Sequence, residues 1–102
     1  MPRPTYDTIR ELALTLPKVE EYTCYGTPAL RVKKKIMARL REDGDVVLVV
    51  GFDKRDILIA SRPEAFYTTD HYRDYPSVLV RLNKVTKKEL QDCVRWAWEL
   101  RQ

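Results

Sequence analysis

An Asp-Gly pair between two apolar segments constrains this chain more than any other feature of its sequence. Before the pair, residues 36–41 alternate between aliphatic and mostly cationic side chains, which is typical of a strand with one buried face. After it, residues 46–50 are all apolar and mostly β-branched, which indicates a strand in the middle of a sheet. Asp43 and Gly44 tolerate the positive φ angles of a two-residue hairpin turn. We therefore predict an antiparallel hairpin at the centre of a sheet.

Helices are predicted at both ends of the chain. Thr5 is a suitable N-cap for a first helix that Pro17 terminates, and apolar residues follow Thr5 at helical spacing. Thr86 and Glu89 form the Thr-x-x-Glu pattern of a capping box at the start of a closing helix with one apolar stripe. Because both helices are amphipathic, we expect them to cover one face of the sheet and to leave the other face open.

Three further strands and a short helix complete the predicted order. The strands cover residues 19–25, 30–33 and 77–82, and Asp53 is expected to cap the short helix. Residues 64–76 are aromatic and irregular. The fold class is thus α+β, a single domain over residues 1–102 with an antiparallel sheet of about five strands. The residues predicted to face the helices are Ile9, Leu12, Leu16, Leu30, Val32, Ile36, Ala38, Leu40, Val78, Val80, Leu82, Leu90, Val94 and Ala97.

The overall composition limits the possible classes of protein. A chain of 102 residues with 44% hydrophobic residues can build one modest core. No apolar run is long enough to span a bilayer and the N-terminus lacks a signal-peptide core, so we expect a cytoplasmic protein without a membrane partner. Cys24 and Cys93 are far apart and lack metal-ligand spacing, which favours reduced thiols in or near the core.

A basic cluster on the predicted central strands is the first candidate site. Six cations and no acid occur from Arg31 to Arg41, within a chain of net charge +4. Strand parity places part of this cluster on the open face, where the cations could contact backbone phosphates. The cations predicted for this surface are Arg31, Lys33, Lys35, Arg39, Arg41 and Arg81. The alternative is that they only keep an exposed sheet face soluble and unpaired.

The aromatic segment is the second candidate site. His71, Tyr72 and Arg73, with Tyr67 and Tyr75 nearby, could stack on an unpaired base or a small ligand. Equally, such residues could seal the edge of a small core. The sequence offers no nucleophile, paired acid or glycine-rich phosphate loop at recognisable spacing, so neither an enzyme nor a cofactor is predicted.

Three segments of the sequence resemble the MmcQ/YjbR family. These segments are residues 25–32, 35–40 and 71–76. The resemblance implies a compact fold similar to bacterial frataxin and carries the label of a double-wing DNA-binding protein. Lys34 and Asp74 stand where the family typically has glycine. Because a lysine at positive φ costs about 1 kcal/mol, we expect the turn at Lys34 to adopt a different shape.

The similarity to frataxin also raises iron binding, which requires a dense ridge of carboxylates. The first helix and the following strand offer only Asp7, Glu11, Glu20 and Glu21, so no metal is predicted. The favoured hypothesis is a non-catalytic accessory protein that binds nucleic acid, with DNA preferred over RNA. The alternative is a protein-interaction or small-ligand module. The oligomeric state is left open, with a monomer favoured.

Overall fold

The structure, a computed structural model, describes residues 4–101 and contains three helices and one antiparallel sheet of six strands. The elements in chain order are α1 (Tyr6–Leu14), β1 (Val19–Cys24), β2 (Thr27–Val32), β3 (Lys35–Leu40), β4 (Val46–Val49), α2 (Phe52–Ser61), β5 (Phe66–Tyr67), β6 (Ser77–Val80) and α3 (Lys87–Leu100). The strand order is β1-β2-β3-β4-β6-β5, so β4 lies inside the sheet as predicted. The predicted α+β class is correct. The additional strand is β5, which lies in the segment predicted to be irregular.

The core lies between the sheet and the helices at the two ends of the chain. Helix α1 packs on α3, and α3 packs on β3 and β4. Ile9, Leu48, Phe66 and Leu90 are fully buried in this core. Helix α2 has no fully buried residue and contacts β5 and β6 near the edge of the sheet. Within residues 4–101, no helix is long and apolar enough to cross a membrane.

The capping box of α3 is present as predicted. The backbone N–H of Glu89 donates to Oγ1 of Thr86 at 3.1 Å, and the N–H of Thr86 donates to Oε1 of Glu89 at 2.9 Å. These two bonds satisfy backbone donors that would otherwise be left free at the first turn. In contrast, α2 starts after Gly51 without a side-chain cap, so the predicted capping role of Asp53 is wrong.

A β-bulge in β3 shifts the faces of its first residues. Leu30 pairs with Ala38, whereas the next residue of β2, Arg31, pairs with Ile36, so β3 contains one extra residue, Met37. Met37 and Ala38 are both buried in the core, and Ile36 does not belong to it. The prediction that Ile36 faces the helices is therefore wrong, because simple alternation assumes a regular strand.

The two hairpin turns of the central strands differ from the predicted ones. The β3–β4 loop contains three residues, since Gly44 N–H donates to Arg41 O at 3.1 Å and Arg41 N–H donates to Asp45 O at 2.8 Å. Only Gly44 has a positive φ there, of 93°. In the β2–β3 turn, both Lys33 and Lys34 have positive φ, at 52° and 67°. The expectation that Lys34 avoids this conformation is wrong.

Candidate nucleic-acid interface

The face of the sheet opposite the helices, called here the outer face, has a buried centre. Cross-strand pairing aligns Tyr22, Ala29, Arg39, Val47, Leu79 and Tyr67 in one row across the six strands. Ala29, Val47 and Leu79 are 1%, 4% and 0% exposed. The predicted open polar face is therefore wrong at its centre. Tyrosine and arginine side chains flank these apolar residues, and their long stems can cover apolar surface while their polar ends reach solvent.

Arg39 is a buried cation in this row rather than an exposed one. Its side chain is held by three groups: a carboxylate oxygen of Glu42 lies 2.7 Å from the guanidinium, Nε donates to Cys24 O at 3.4 Å, and the Tyr25 ring centre lies 5.3 Å away. Arg39 is only 9% exposed. Its charge is thus neutralised within the protein.

Arg31, on the neighbouring strand β2, also lies between an aromatic ring and an acid. Its guanidinium lies 4.8 Å from the centre of the Tyr22 ring and 3.5 Å from a carboxylate oxygen of Glu20. Burial is the main cause that raises the pKa of Tyr22, with a further contribution from Cys24. Arg31 is therefore also paired with an acid and an aromatic ring.

Tyr67 contacts the other two arginines of the outer face, Arg41 and Arg81. Its hydroxyl donates to Oδ2 of Asp45, and burial followed by this hydrogen bond raises the pKa of Tyr67 to about 12. Arg81 lies over the Tyr67 ring at 4.1 Å, and Arg41 reaches the hydroxyl at 3.5 Å. Arg41 also lies 3.5 Å from a carboxylate oxygen of Asp43. Three of the four arginines on the outer face thus have acid partners, and Arg81 has the ring of Tyr67.

The lysines lie elsewhere, at one end of the sheet. Lys33 and Lys34 form the β2–β3 turn, and Lys35 begins β3. Continuing the pairing of Val19 with Val32 by one residue places Lys18 opposite Lys33. All four lysines are exposed, and none has an acid partner among residues 4–101. We call this cluster, Lys18 with Lys33 to Lys35, the lysine end.

Sequence analysis did not identify Lys18 as part of this cluster. The length of the β1–β2 turn is the feature from which the position of Lys18 could have been predicted. Tyr25 and Gly26 alone form it, with φ of 54° and 80°, and a two-residue turn fixes the register of the hairpin back to its first residue. That register brings Lys18 beside Lys33.

The predicted residues His71, Tyr72 and Arg73 lie in a loop between β5 and β6, residues 68–76, called here the aromatic loop. The rings of His71 and Tyr72 meet edge to face with centres 4.7 Å apart, and the ring of Tyr75 lies 6.3 Å from both. Tyr75 is 54% exposed, and His71 is also exposed. Arg73 pairs with Asp70 at 2.5 Å, so these two charges cancel locally. The loop therefore offers aromatic surface more than net charge.

Arg55 of α2 fixes the position of the aromatic loop. Its Nη1 donates to the carbonyl oxygens of Arg73 at 2.7 Å and Tyr75 at 3.1 Å. Pro76, at the end of the loop, accepts a hydrogen bond from Gly51 N–H at 2.9 Å. This role could not be predicted from sequence patterns, because Arg55 lies 18 and 20 residues from the two carbonyls.

The lysine end and the aromatic loop lie at the same end of the sheet. Antiparallel pairing places the start of β3, the end of β4 and the start of β6 together. Strands are about 4.8 Å apart, so β3 and β6 are separated by about 10 Å. The structure thus brings Lys33 and Lys35 to the same end as His71, Tyr72 and Arg73. It places the other predicted arginines on the outer face.

Other possible sites contain none of the predicted residues. Among residues 4–101, no group of three His, Cys, Asp or Glu side chains could hold a metal ion. A depression of about 280 Å³ lies between α1 and α3, and another of about 340 Å³ lies between α2 and α3. Both lie between helices, and the residues that line them include none of the four lysines of the lysine end and none of residues 68–76.

Comparisons with known proteins match the chain to one family. The YjbR family model matches residues 14–100. Uncharacterised proteins Rv2570 of Mycobacterium tuberculosis and Mb2600 of Mycobacterium bovis are each 39% identical over 57 residues, which is 54% of this chain and 44% of the relative. The matched stretch thus spans less than half of either relative. The crystal structure of Deinococcus radiodurans protein DR2400, a DUF419 protein, superposes with a TM-score of 0.79 at 21% identity, covering 98% of this chain and 80% of that one.

Proposed function

Since this chain belongs to the YjbR family and the relatives it matches are uncharacterised, we propose from its own surface that it is a non-catalytic accessory protein that binds nucleic acid. The observation that carries the proposal is the lysine end. Four exposed ammonium groups without acid partners occur together in the described chain, whereas most of the outer-face arginines are neutralised. Lysines of this kind attract phosphates and release counterions when they bind them.

The backbone conformation of the lysine end supports the proposal. Lys18, Lys33 and Lys34 all have positive φ, a conformation that favours glycine and asparagine. Each such lysine costs about 1 kcal/mol of folding free energy. Strained residues tend to occur where the side chain has a function, and three strained lysines at one end of a sheet fit an anion-binding role.

The salt dependence of binding tests the proposal. Four lysine–phosphate contacts predict that the logarithm of affinity falls with the logarithm of salt concentration with a slope of about −3 to −4 on duplex DNA. The double substitution Lys33→Gln and Lys35→Gln should flatten the slope by about two units. It should weaken binding to all sequences alike, because phosphate contacts carry no sequence information.

The matched control removes the same charge at the opposite end of the molecule. Lys84 and Lys87 are exposed lysines near the start of α3. Lys84→Gln with Lys87→Gln should leave the slope close to that of the unsubstituted protein. Equal flattening by both pairs would indicate attraction to the net charge alone. Absence of measurable DNA or RNA binding at about 50 mM salt would contradict the proposal and favour the interaction-module hypothesis.

A further inference from the structure

We infer that the nucleic acid is single-stranded and that the aromatic loop stacks on one of its bases, an inference that rests on the proposed function. Exposed tyrosine and histidine rings can stack on a base only when a face of that base is free. In a continuous duplex the neighbouring base pairs cover these faces. The outer surface of the loop therefore suits an unpaired strand.

Tyr75 is the ring best placed for this contact. It is 54% exposed, whereas its neighbour Tyr72 is half-buried. The edge-to-face contact between His71 and Tyr72, with centres 4.7 Å apart, gives Tyr75 two rings beside it, each 6.3 Å away. The three rings are inclined to one another by 37° to 86° and form one small cluster, called here the platform, of which Tyr75 is the more exposed tyrosine.

The platform is fixed in place before any ligand binds. Arg55 donates to Arg73 O and Tyr75 O, and the Arg55 side chain is only 12% exposed. Tyr75 N–H also donates to Tyr72 O at 3.0 Å within the loop. A platform held by such bonds loses little conformational entropy on binding, which favours affinity. Arg55 is therefore a positioning residue for the loop.

The distance from the aromatic loop to the lysine end matches the length of a few nucleotides of single-stranded nucleic acid. The start of β3 and the start of β6 are about 10 Å apart across the sheet. Successive stacked nucleotides of one strand are about 3.4 Å apart, so this distance corresponds to about three of them. One base on the platform and phosphates on Lys33 and Lys35 can thus belong to the same strand.

The test compares the affinities of three probes at one salt concentration and then over a series of salt concentrations. These are a non-self-complementary DNA strand of about 16 nucleotides, the same strand annealed to its complement, and an RNA strand of the same sequence. We expect at least one of the single strands to bind more tightly than the duplex. Tyr75→Ala should weaken single-strand binding by about fivefold or more, and it should leave the salt slope unchanged because no charge is lost.

Two substitutions serve as controls. Tyr75→Phe keeps the ring and should retain single-strand binding. Tyr25→Ala removes another exposed tyrosine, in the β1–β2 turn at the opposite end of the sheet. It should leave single-strand binding unchanged. The thermal stability of each variant, measured by circular dichroism, shows whether it is folded.

Separate results distinguish this inference from the proposed function. Tighter binding of the duplex than of both single strands, or full single-strand binding by folded Tyr75→Ala, would overturn the inference. The proposed function would still hold in that case if Lys33→Gln with Lys35→Gln flattened the salt slope. Loss of that lysine effect would instead contradict the proposed function.

Discussion

Nε of Arg101 donates a hydrogen bond to the carbonyl oxygen of Ile36 at 2.9 Å, which joins the residue after α3 to the bulged start of β3. We predict that Arg101→Met lowers the free energy of unfolding by about 1 to 2 kcal/mol, because a charged hydrogen bond to a partly buried carbonyl is lost. Urea denaturation measures the change. Arg95→Met, at an exposed arginine within α3, should cost much less, and equal losses would contradict the prediction.

Because of the bulge, we expect Met37 to contribute more to the free energy of unfolding than Ile36 does. Met37 is fully buried, so Met37→Ala should cost about 2 to 5 kcal/mol. Ile36 lies outside the core and is half-buried, so Ile36→Ala should cost clearly less. Urea denaturation of both variants checks this, and a larger loss for Ile36→Ala would show that β3 keeps a regular alternation in solution.

Substitution of Lys34 in the β2–β3 turn by glycine should affect stability and nucleic-acid binding in opposite directions. Lys34→Gly relieves a positive φ of 67°, so we expect it to raise the free energy of unfolding by up to about 1 kcal/mol relative to Lys34→Ala. Both variants lose one cation and should flatten the salt slope by about one unit. Denaturation and binding measurements on the pair separate strain from charge. Equal stability of the two variants would argue against strain at this position.

We expect substitution of Arg39 to lower the free energy of unfolding and to leave the salt dependence of nucleic-acid binding unchanged. Strand parity predicted that Arg39 lies on an open face of the sheet, exposed to solvent. Because Arg39 is only 9% exposed and pairs with Glu42, we now expect Arg39→Ala to cost about 1 to 3 kcal/mol. Arg73→Ala, whose side chain is 70% exposed, should cost less than about 0.5 kcal/mol. A salt slope flattened by Arg39→Ala would mean that this arginine contacts phosphate.

The two cysteines should differ in reactivity. Cys93 is fully buried, and burial raises its pKa to about 12, whereas Cys24 is half-buried. Alkylation of the native protein, followed by mass spectrometry, should therefore modify Cys24 and spare Cys93. Modification of Cys93 at a comparable rate would contradict its place in the core.

The same pKa shift gives a direction for stability against pH. An unfolded Cys93 thiol ionises near pH 9, but the folded one keeps its proton up to about pH 12. Its contribution is thus complete below pH 9 and is lost as the pH rises from 9 to 12. Between pH 8 and pH 10, Cys93→Ala should lose less stability than the unsubstituted protein.

Sequence patterns predicted the elements whose signals are local. The capping box of α3 follows from Thr86 and Glu89 alone, and the central place of β4 follows from its continuous apolar run. The bulge at Met37 could not be predicted, because an extra residue changes no local composition. The burial of Arg39 depends on Tyr25 and Glu42, whose positions require the register of three strands.

The candidate site was predicted in composition but not in arrangement. Parity grouped Lys33 with the arginines, since it treated residues 30–33 as one strand. In the structure, Lys33 belongs to a turn and joins Lys18 instead. The positive φ at Lys34 could not be predicted, because lysine disfavours this conformation and no local pattern in the sequence indicates it.

The unpaired lysines lie at one end of the sheet, whereas the arginines on its outer face are mostly paired, so the positive charge is unevenly distributed over the surface. Paired charges cancel at a distance, so the outer-face arginines that have acid partners add little long-range potential, whereas the four lysines of the lysine end add positive potential at that end of the sheet. A polyanion would be steered toward the ends of the strands and would arrive along their axis. The outer face, with Tyr22 and Tyr67 at its two sides, would remain uncovered and available to a second molecule.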